Sequence, residues 1–292
     1  MFDIPGLTIA GEGAAPEPPI ILVVGSEKSG KSASATTLID YPNKGDYPLV
    51  LAHDASGPDS CALLGYRMPV IKIQDMPGAS YAAKMESTIA AVQGLFARGT
   101  GRKPTALVVD CASTMADRLY QEAKPQFADG RGAYGYVLGN CSSFLSKLVA
   151  LRVPTIWYAW LREAFIKESE KNGQKTKRQE LGGANITGNF KAVLAGRATM
   201  IFVLEKVRAP GGCSTPVGTV PPGSDGFVRL FHTRTWEMIE GGGRYNLPEP
   251  MPAHLGFCLS TMAASRKVAS FAVGAPVSAP APQPQVQAQV IR

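Results

Sequence analysis

The chain has 292 residues, 45% of them apolar and only 18% charged, with a formal net charge of +7. That content allows a large buried core and excludes a long solvated helical rod, and the positive balance favours acidic partners such as nucleotide or nucleic acid. Five cysteines without a C-x-x-C pair and three scattered histidines argue against a disulfide framework or a zinc site, and no run of 18 apolar residues offers a membrane span.

Residues 1–18 hold glycine and proline with little periodicity and read as an irregular N-terminal arm. Ile20–Val24 is a short apolar run ending at Gly25, the pattern of a strand buried on both faces of a parallel sheet. A helix is expected from Lys31 to Ile39. A second strand is expected over Pro48–Ala52, ending at His53 and Asp54. Tyr81–Phe96 has helical spacing, with Ile89, Val92 and Leu95 on a common face. Thr105–Val109 is a third strand ending at Asp110, and Tyr136–Leu151 a helix with Leu138, Leu145 and Leu148 turned inward. Thr155–Leu161 and Thr199–Leu204 complete the strands, and Phe227–Phe231 with Thr235–Ile239 suggests a late hairpin.

Strands separated by helices predict an α/β fold with a mostly parallel central sheet flanked by helices. One domain is expected over 19–265. From residue 266, and most clearly from Ala272, the composition turns to Pro, Ala, Gln and Val with almost no charge, which predicts a disordered tail over 266–292. The N-terminus shows no basic stretch followed by an apolar core, so a cytoplasmic location is expected, with no attachment to membrane.

The eight residues Gly25, Ser26, Glu27, Lys28, Ser29, Gly30, Lys31 and Ser32 fit G-x-x-x-x-G-K-[ST] at every fixed position. Glycines let the backbone turn tightly enough for its N–H groups to face phosphate oxygens, and the helix that opens at the motif's end, with Ala33, adds its positive pole. Lys31 is placed to reach the terminal phosphates, and the Ser32 hydroxyl to ligate Mg²⁺. The setting, after an apolar strand and before a helix, is the one this motif requires, and ATP is the expected cofactor. A deviant loop of the MinD type would carry a second lysine five positions before Lys31, where Ser26 stands. Asp110, an acid closing an apolar strand, is expected to face Ser32 and share the Mg²⁺. Asp54 is the nearest carboxylate for orienting an attacking water.

The order of these parts resembles the RecA-like ATPases, in particular the short phage-encoded RecA-like recombination and strand-annealing proteins. Glu27 and Ser29 stand in the loop where that group often carries Glu and Ser. Val108–Ser113 resembles its acid-terminated strand, and Thr155–Glu163 its next strand with a terminal sensor. Gly182-Gly183-Ala184-Asn185 resembles the glycine pair closing its second DNA-binding loop. The resemblance implies an ATPase that binds single-stranded DNA, self-associates into a filament or ring, and works in the cytoplasm, the host's if phage-encoded. Its two DNA loops would correspond to Gln121–Tyr136, with Arg131 and Tyr134 as contacts, and to Arg162–Gly188, with Lys175, Lys177 and Arg178. Arg244 is a candidate for reaching a neighbouring subunit's γ-phosphate, with Arg197 and Lys206 as competitors. Two positions depart from the pattern: Asp54 and Ser56 stand where Glu is common, and Trp160 where a polar sensor is expected. Both point to slow hydrolysis. Other readings of the same fold are a helicase, helicase loader or packaging motor, and a nucleotide-dependent regulatory or structural protein that binds no DNA.

Overall fold

Five apolar runs in the chain become neighbouring strands, and the reason is visible in which residues they bury. The computed structural model describes residues 17–39, 41, 47–54, 65–98, 102–163, 165–171, 174–180, 182–235 and 239–272. Ser56, most of the N-terminal arm and the tail from 273 lie outside the described residues. In chain order the strands are β1 (Ile20–Gly25), β2 (Tyr47–Ala52), β3 (Val70–Lys72), β4 (Pro104–Asp110), β5 (Thr155–Arg162), β6 (Phe165–Lys171) and β7 (Gln174–Glu180). They continue with β8 (Gly183–Asn185), β9 (Met200–Arg208), β10 (Cys213–Thr215), β11 (Gly218–Val220), β12 (Phe227–His232), β13 (Gly242–Gly243) and β14 (Met251–Pro252). The helices are α1 (Lys31–Ser34), α2 (Tyr81–Ala97), α3 (Ala112–Ala123), α4 (Gly130–Val149), α5 (Phe190–Arg197) and α6 (Leu255–Ala272).

The central sheet runs β14-β12-β9-β1-β5-β4-β2-β3. The six strands from β9 to β3 are mutually parallel, while β12 and β14 add antiparallel at one side. Alternate residues of each central strand feed two separate cores, as the period of two requires. Leu22, Val24, Leu51, Leu107, Val109 and Trp157 meet α2, α3, α4 and α5 on one face. Ile21, Val23, Val50, Val108, Tyr158 and Phe202 meet Leu38 and the buried side of α6 on the other. The sheet is therefore covered on both faces, and its loops can open only at its edges.

The helix after the phosphate motif is only Lys31–Ser34, continued by a 3-10 turn at Ala35–Leu38. Phe227–His232 pairs with β9, from Phe227 opposite Arg208 to His232 opposite Val203, and residues 236–238 of the expected hairpin lie outside the described residues. Ile239 bridges Gly182. α6 runs to Ala272. Among the described residues no helix is long and apolar enough to cross a membrane.

Candidate functional site

β1 sits between β5 and β9, with Gly25 paired to Trp160 on one side and Leu204 on the other. The chain must turn there at close quarters. A Cβ at Gly25 would lie 2.7 Å from Ser29 Oγ and 3.2 Å from Leu204 Cβ, so only glycine fits. Gly30 takes φ +103°, and Lys28 also enters the left-handed region at 57°. The turn folds the Lys31 side chain back over its own loop, where Nζ donates to Gly25 O at 2.8 Å and Ser26 O at 2.7 Å. Burial lowers the Lys31 pKa, against the opposing pull of Cys111, Asp110 and Glu27. The Ser29 hydroxyl is buried in the loop without a hydrogen-bond partner. Ser34 anchors the helix start, bonding Lys31 O and the Tyr158 hydroxyl.

The acid expected opposite this loop arrives two strands away. β5 separates β1 from β4, and Asp110 closes β4. Ser32 Oγ donates to Asp110 Oδ2 at 2.6 Å. Asp110 is 5% exposed. Burial raises its pKa and the charge of Asp54 adds to this, while the Ser32 bond and Lys31 pull the other way. His53 N and Asp54 N both donate to Asp110 O, at 2.6 and 3.2 Å, which fixes the end of β2 beside the end of β4. Lys31, Ser32, Asp110 and Asp54 thus form one cluster at the carboxyl edge of the parallel strands. Trp160, at the sensor position, continues the Tyr158 face of β5 and donates its backbone N–H to Ser113 Oγ at 2.9 Å.

Behind the cluster lies a polar chain that the sequence did not announce. His53 is fully buried, and its Nδ1 lies 2.6 Å from the Tyr81 hydroxyl. Burial, followed by the Arg118 charge, lowers the His53 pKa to about 3, so the ring is neutral, and its tautomer sets which of Nδ1 and the Tyr81 hydroxyl donates. Glu122 on α3 accepts from the Tyr81 backbone N–H and from the Tyr136 hydroxyl, the latter at 2.6 Å. The chain thus links the end of β2 to α4. Its members are single polar atoms on apolar helix faces, so no spacing distinguishes them from core.

The first expected DNA loop is mostly helix. α3 continues to Ala123 and α4 begins at Gly130, where Asp129 caps it by accepting from Gly132 N at 3.0 Å. Of the glycines that suggested a loop, Gly132 serves packing: a Cβ there would lie 2.4 Å from Phe127. Arg131 is exposed on the first turn, and Tyr134, 44% exposed, stacks on Tyr120 with ring centroids 5.0 Å apart. The second segment leaves β5 as the β6–β7 hairpin and returns through β8, which pairs with Trp160–Arg162. Its register sets Lys175 opposite Glu170, Lys177 opposite Glu168 and Arg178 opposite Lys167. The two segments meet where a Cβ at Gly188 would lie 3.3 Å from Tyr134 Cδ1.

The three expected inter-subunit cations go to different places. Arg244 is exposed, and its N–H bonds Thr199 O at the start of β9, the edge opposite the loop. Arg197 bonds Ser146, and Lys206 faces Asp225. Arg229, which the sequence reading passed over, lies directly against Gly30.

No protein-family model matches the chain, and no curated protein matches it. Among solved structures it is similar to a KaiC-like protein from the hyperthermophilic archaeon Pyrococcus horikoshii OT3. The identity is 13%, the match covers 82% of this chain and 92% of that one, and the TM-score is 0.41.

Proposed function

We propose that the chain is a RecA-like ATPase that binds ATP with Mg²⁺ at Gly25–Ala33, hydrolyses it slowly and engages single-stranded DNA. The observation that carries the nucleotide reading is the 2.6 Å contact of Ser32 and Asp110 beside a buried Lys31. A hydroxyl and a carboxylate are the hard oxygen donors Mg²⁺ takes, and the raised pKa of Asp110 marks a buried acid short of positive charge. Ser32 and Asp110 would hold the ion, which when bound supplies charge neutralisation on the phosphates. Lys31 exchanges its two backbone carbonyls for phosphate oxygens. The loop N–H groups orient the phosphate chain, and Asp54 orients the attacking water. Asp54 has one methylene fewer than glutamate, and Trp160 lacks the carboxamide of a polar sensor, so turnover is expected to be slow.

Support for the DNA reading is the meeting of the two candidate segments at Tyr134 and Gly188, with Arg131 beside them and a net charge of +7. A trans role for Arg244 requires self-association into a filament or ring, because in its own subunit it stands at the far edge of the sheet. Two observations favour the alternative, a nucleotide-dependent regulatory protein. Tyr120 already covers one face of Tyr134, and the hairpin sets glutamates opposite Lys175 and Lys177.

Steady-state ATP turnover with and without a single-stranded oligonucleotide tests the proposal. Turnover is expected below the enzyme median of about 10 per second, to rise with oligonucleotide, and to fall at least tenfold in Asp110→Asn without loss of melting temperature. An Asp110→Asn rate equal to wild type would contradict the assignment of the acid. No oligonucleotide effect and no oligonucleotide binding would leave the regulatory reading.

A further inference from the structure

β12 runs antiparallel to β9, and its register places Arg229 opposite Lys206. That pair lies two positions beyond Leu204, the residue level with Gly25, so both cations stand above the end of β1 at the rim of the loop. Arg229 is packed onto the loop itself. A Cβ on Gly30 would lie 2.6 Å from Arg229 Nε and 2.8 Å from its Cδ. The guanidinium is gripped from outside by Asp225, which accepts from Nη2 at 2.6 Å and Nη1 at 3.3 Å. Lys206 Nζ stands 3.4 Å from the same carboxylate. The bond from Arg229 holds the Asp225 carboxyl well below the ordinary range, with the Phe227 N–H and Lys206 adding to it. Two cations therefore share one anion. Arg229 Nε is buried and has no hydrogen-bond partner.

A buried N–H of a charged group without an acceptor is costly, and an anion in the adjoining loop would satisfy it. We propose that Arg229 is a phosphate ligand of the loop in its own subunit, and that Asp225 is the latch that holds it while the loop is empty. The inference rests on the reading of Gly25–Ala33 as a nucleotide site. Gly30 belongs to the part of the loop whose N–H groups cradle the inner phosphates. Arg229 therefore contacts phosphates common to ATP and ADP. It differs in this from Lys31, which reaches the terminal phosphate, and from any cation supplied by a neighbouring subunit. Asp225 competes with the nucleotide for Arg229 and Lys206. Its carboxylate sets how much of their charge the phosphates feel, and so tunes affinity without touching the reacting atoms.

The test is a fluorescence titration of the full chain with N-methylanthraniloyl ADP and ATP in Mg²⁺, comparing wild type, Arg229→Ala, Arg229→Lys, Asp225→Asn and Lys31→Ala, with a melting temperature for each. Arg229→Ala is expected to weaken both nucleotides by about tenfold, equally for ADP and ATP, and Arg229→Lys to restore only part, because a point charge does not reproduce the planar fork. Asp225→Asn, which keeps Arg229 and frees it, is expected to tighten both. The assignment is overturned if Arg229→Ala binds like wild type. It is also overturned if Asp225→Asn weakens binding, which would make the pair a brace for the loop. If Arg229→Ala does not fold, Asp225→Asn and Arg229→Lys decide between the same outcomes. Wild type that binds neither nucleotide overturns the nucleotide reading and this inference together. Binding that is lost in Lys31→Ala and kept in Arg229→Ala overturns this inference alone.

Discussion

His53 and Asp110 stand back to back at the junction of β2 and β4, joined by the bond from His53 N to Asp110 O at 2.6 Å. The two titrate in ways that differ in consequence. Asp110 is a raised acid that a cation would relieve, whereas His53 is a buried base held neutral. The folded His53 pKa of about 3 lies below the free value of 6.5. In the unfolded chain the ring takes a proton as pH falls through 6.5, and in the folded chain it does not until about 3. Stability is therefore fully present above 6.5 and falls below it, by up to about 1.4 kcal/mol per pH unit from this group. Urea midpoints of metal-free protein between pH 7.5 and 5 should fall with pH, and His53→Gln should show a shallower dependence. Equal slopes would mean the imidazole is accessible to protons. At this scale the loop was fully legible, because its glycines, Lys31 and Ser32 stand at fixed spacing. Asp110 was legible as an acid closing an apolar run. Arg229, His53 and Tyr81 were not, because a lone polar residue on a strand or helix carries no period.

The helix expected over Tyr81–Phe96 is α2 (Tyr81–Ala97), and the strands anticipated from sequence are those dictated by burial on both faces. β1, β2, β4, β5 and β9 appear as unbroken apolar runs, and their boundaries move by only one to a few residues. β3 has three residues, too short to show a pattern, and its burial is only partial. The backbone of β12 pairs with β9, and its buried face joins the Phe202–Phe231 ring stack at 4.9 Å, a partner that Phe227–Phe231 does not announce in sequence. Glycine at 130, 132 and 135 suggested a loop, and the Asp129 cap with Phe127 packing made it a helix instead. The basic hairpin supplies the prediction at this scale. If β6–β7 follows a DNA strand, its cations displace counterions from phosphates and affinity falls as salt rises. Replacing Lys175, Lys177 and Arg178 together by alanine should flatten the dependence of log affinity on log salt by up to about 2, with nucleotide affinity unchanged. Tyr134→Ala should instead lose about 1–3 kcal/mol of stacking at an unchanged slope. Anisotropy titrations with a labelled oligonucleotide at several salt concentrations separate the two, and a triple variant with the wild-type slope would remove the hairpin from the DNA path.

For the whole molecule, alternation of strands and helices was enough to give a parallel sheet with two covered faces. The order of its strands was not readable, because sequence order does not say that β5 is inserted between β1 and β4. Across that inserted strand Ser32 Oγ reaches Asp110 Oδ2 at 2.6 Å. The same topology puts Arg244 at the opposite edge from Lys31, so the chain has the candidate nucleotide site at one edge and an exposed cation at the other. In the function proposed above, the loop takes ATP through Lys31 and Ser32 with Asp110 completing the Mg²⁺ site. Calorimetric titration of ATP into wild type and Lys31→Ala, with and without Mg²⁺, tests it most directly. One saturable site per chain is expected, tightened by Mg²⁺ and lost in a folded Lys31→Ala. Absence of binding to wild type, or equal affinity in a Lys31→Ala protein with an unchanged melting temperature, would contradict it.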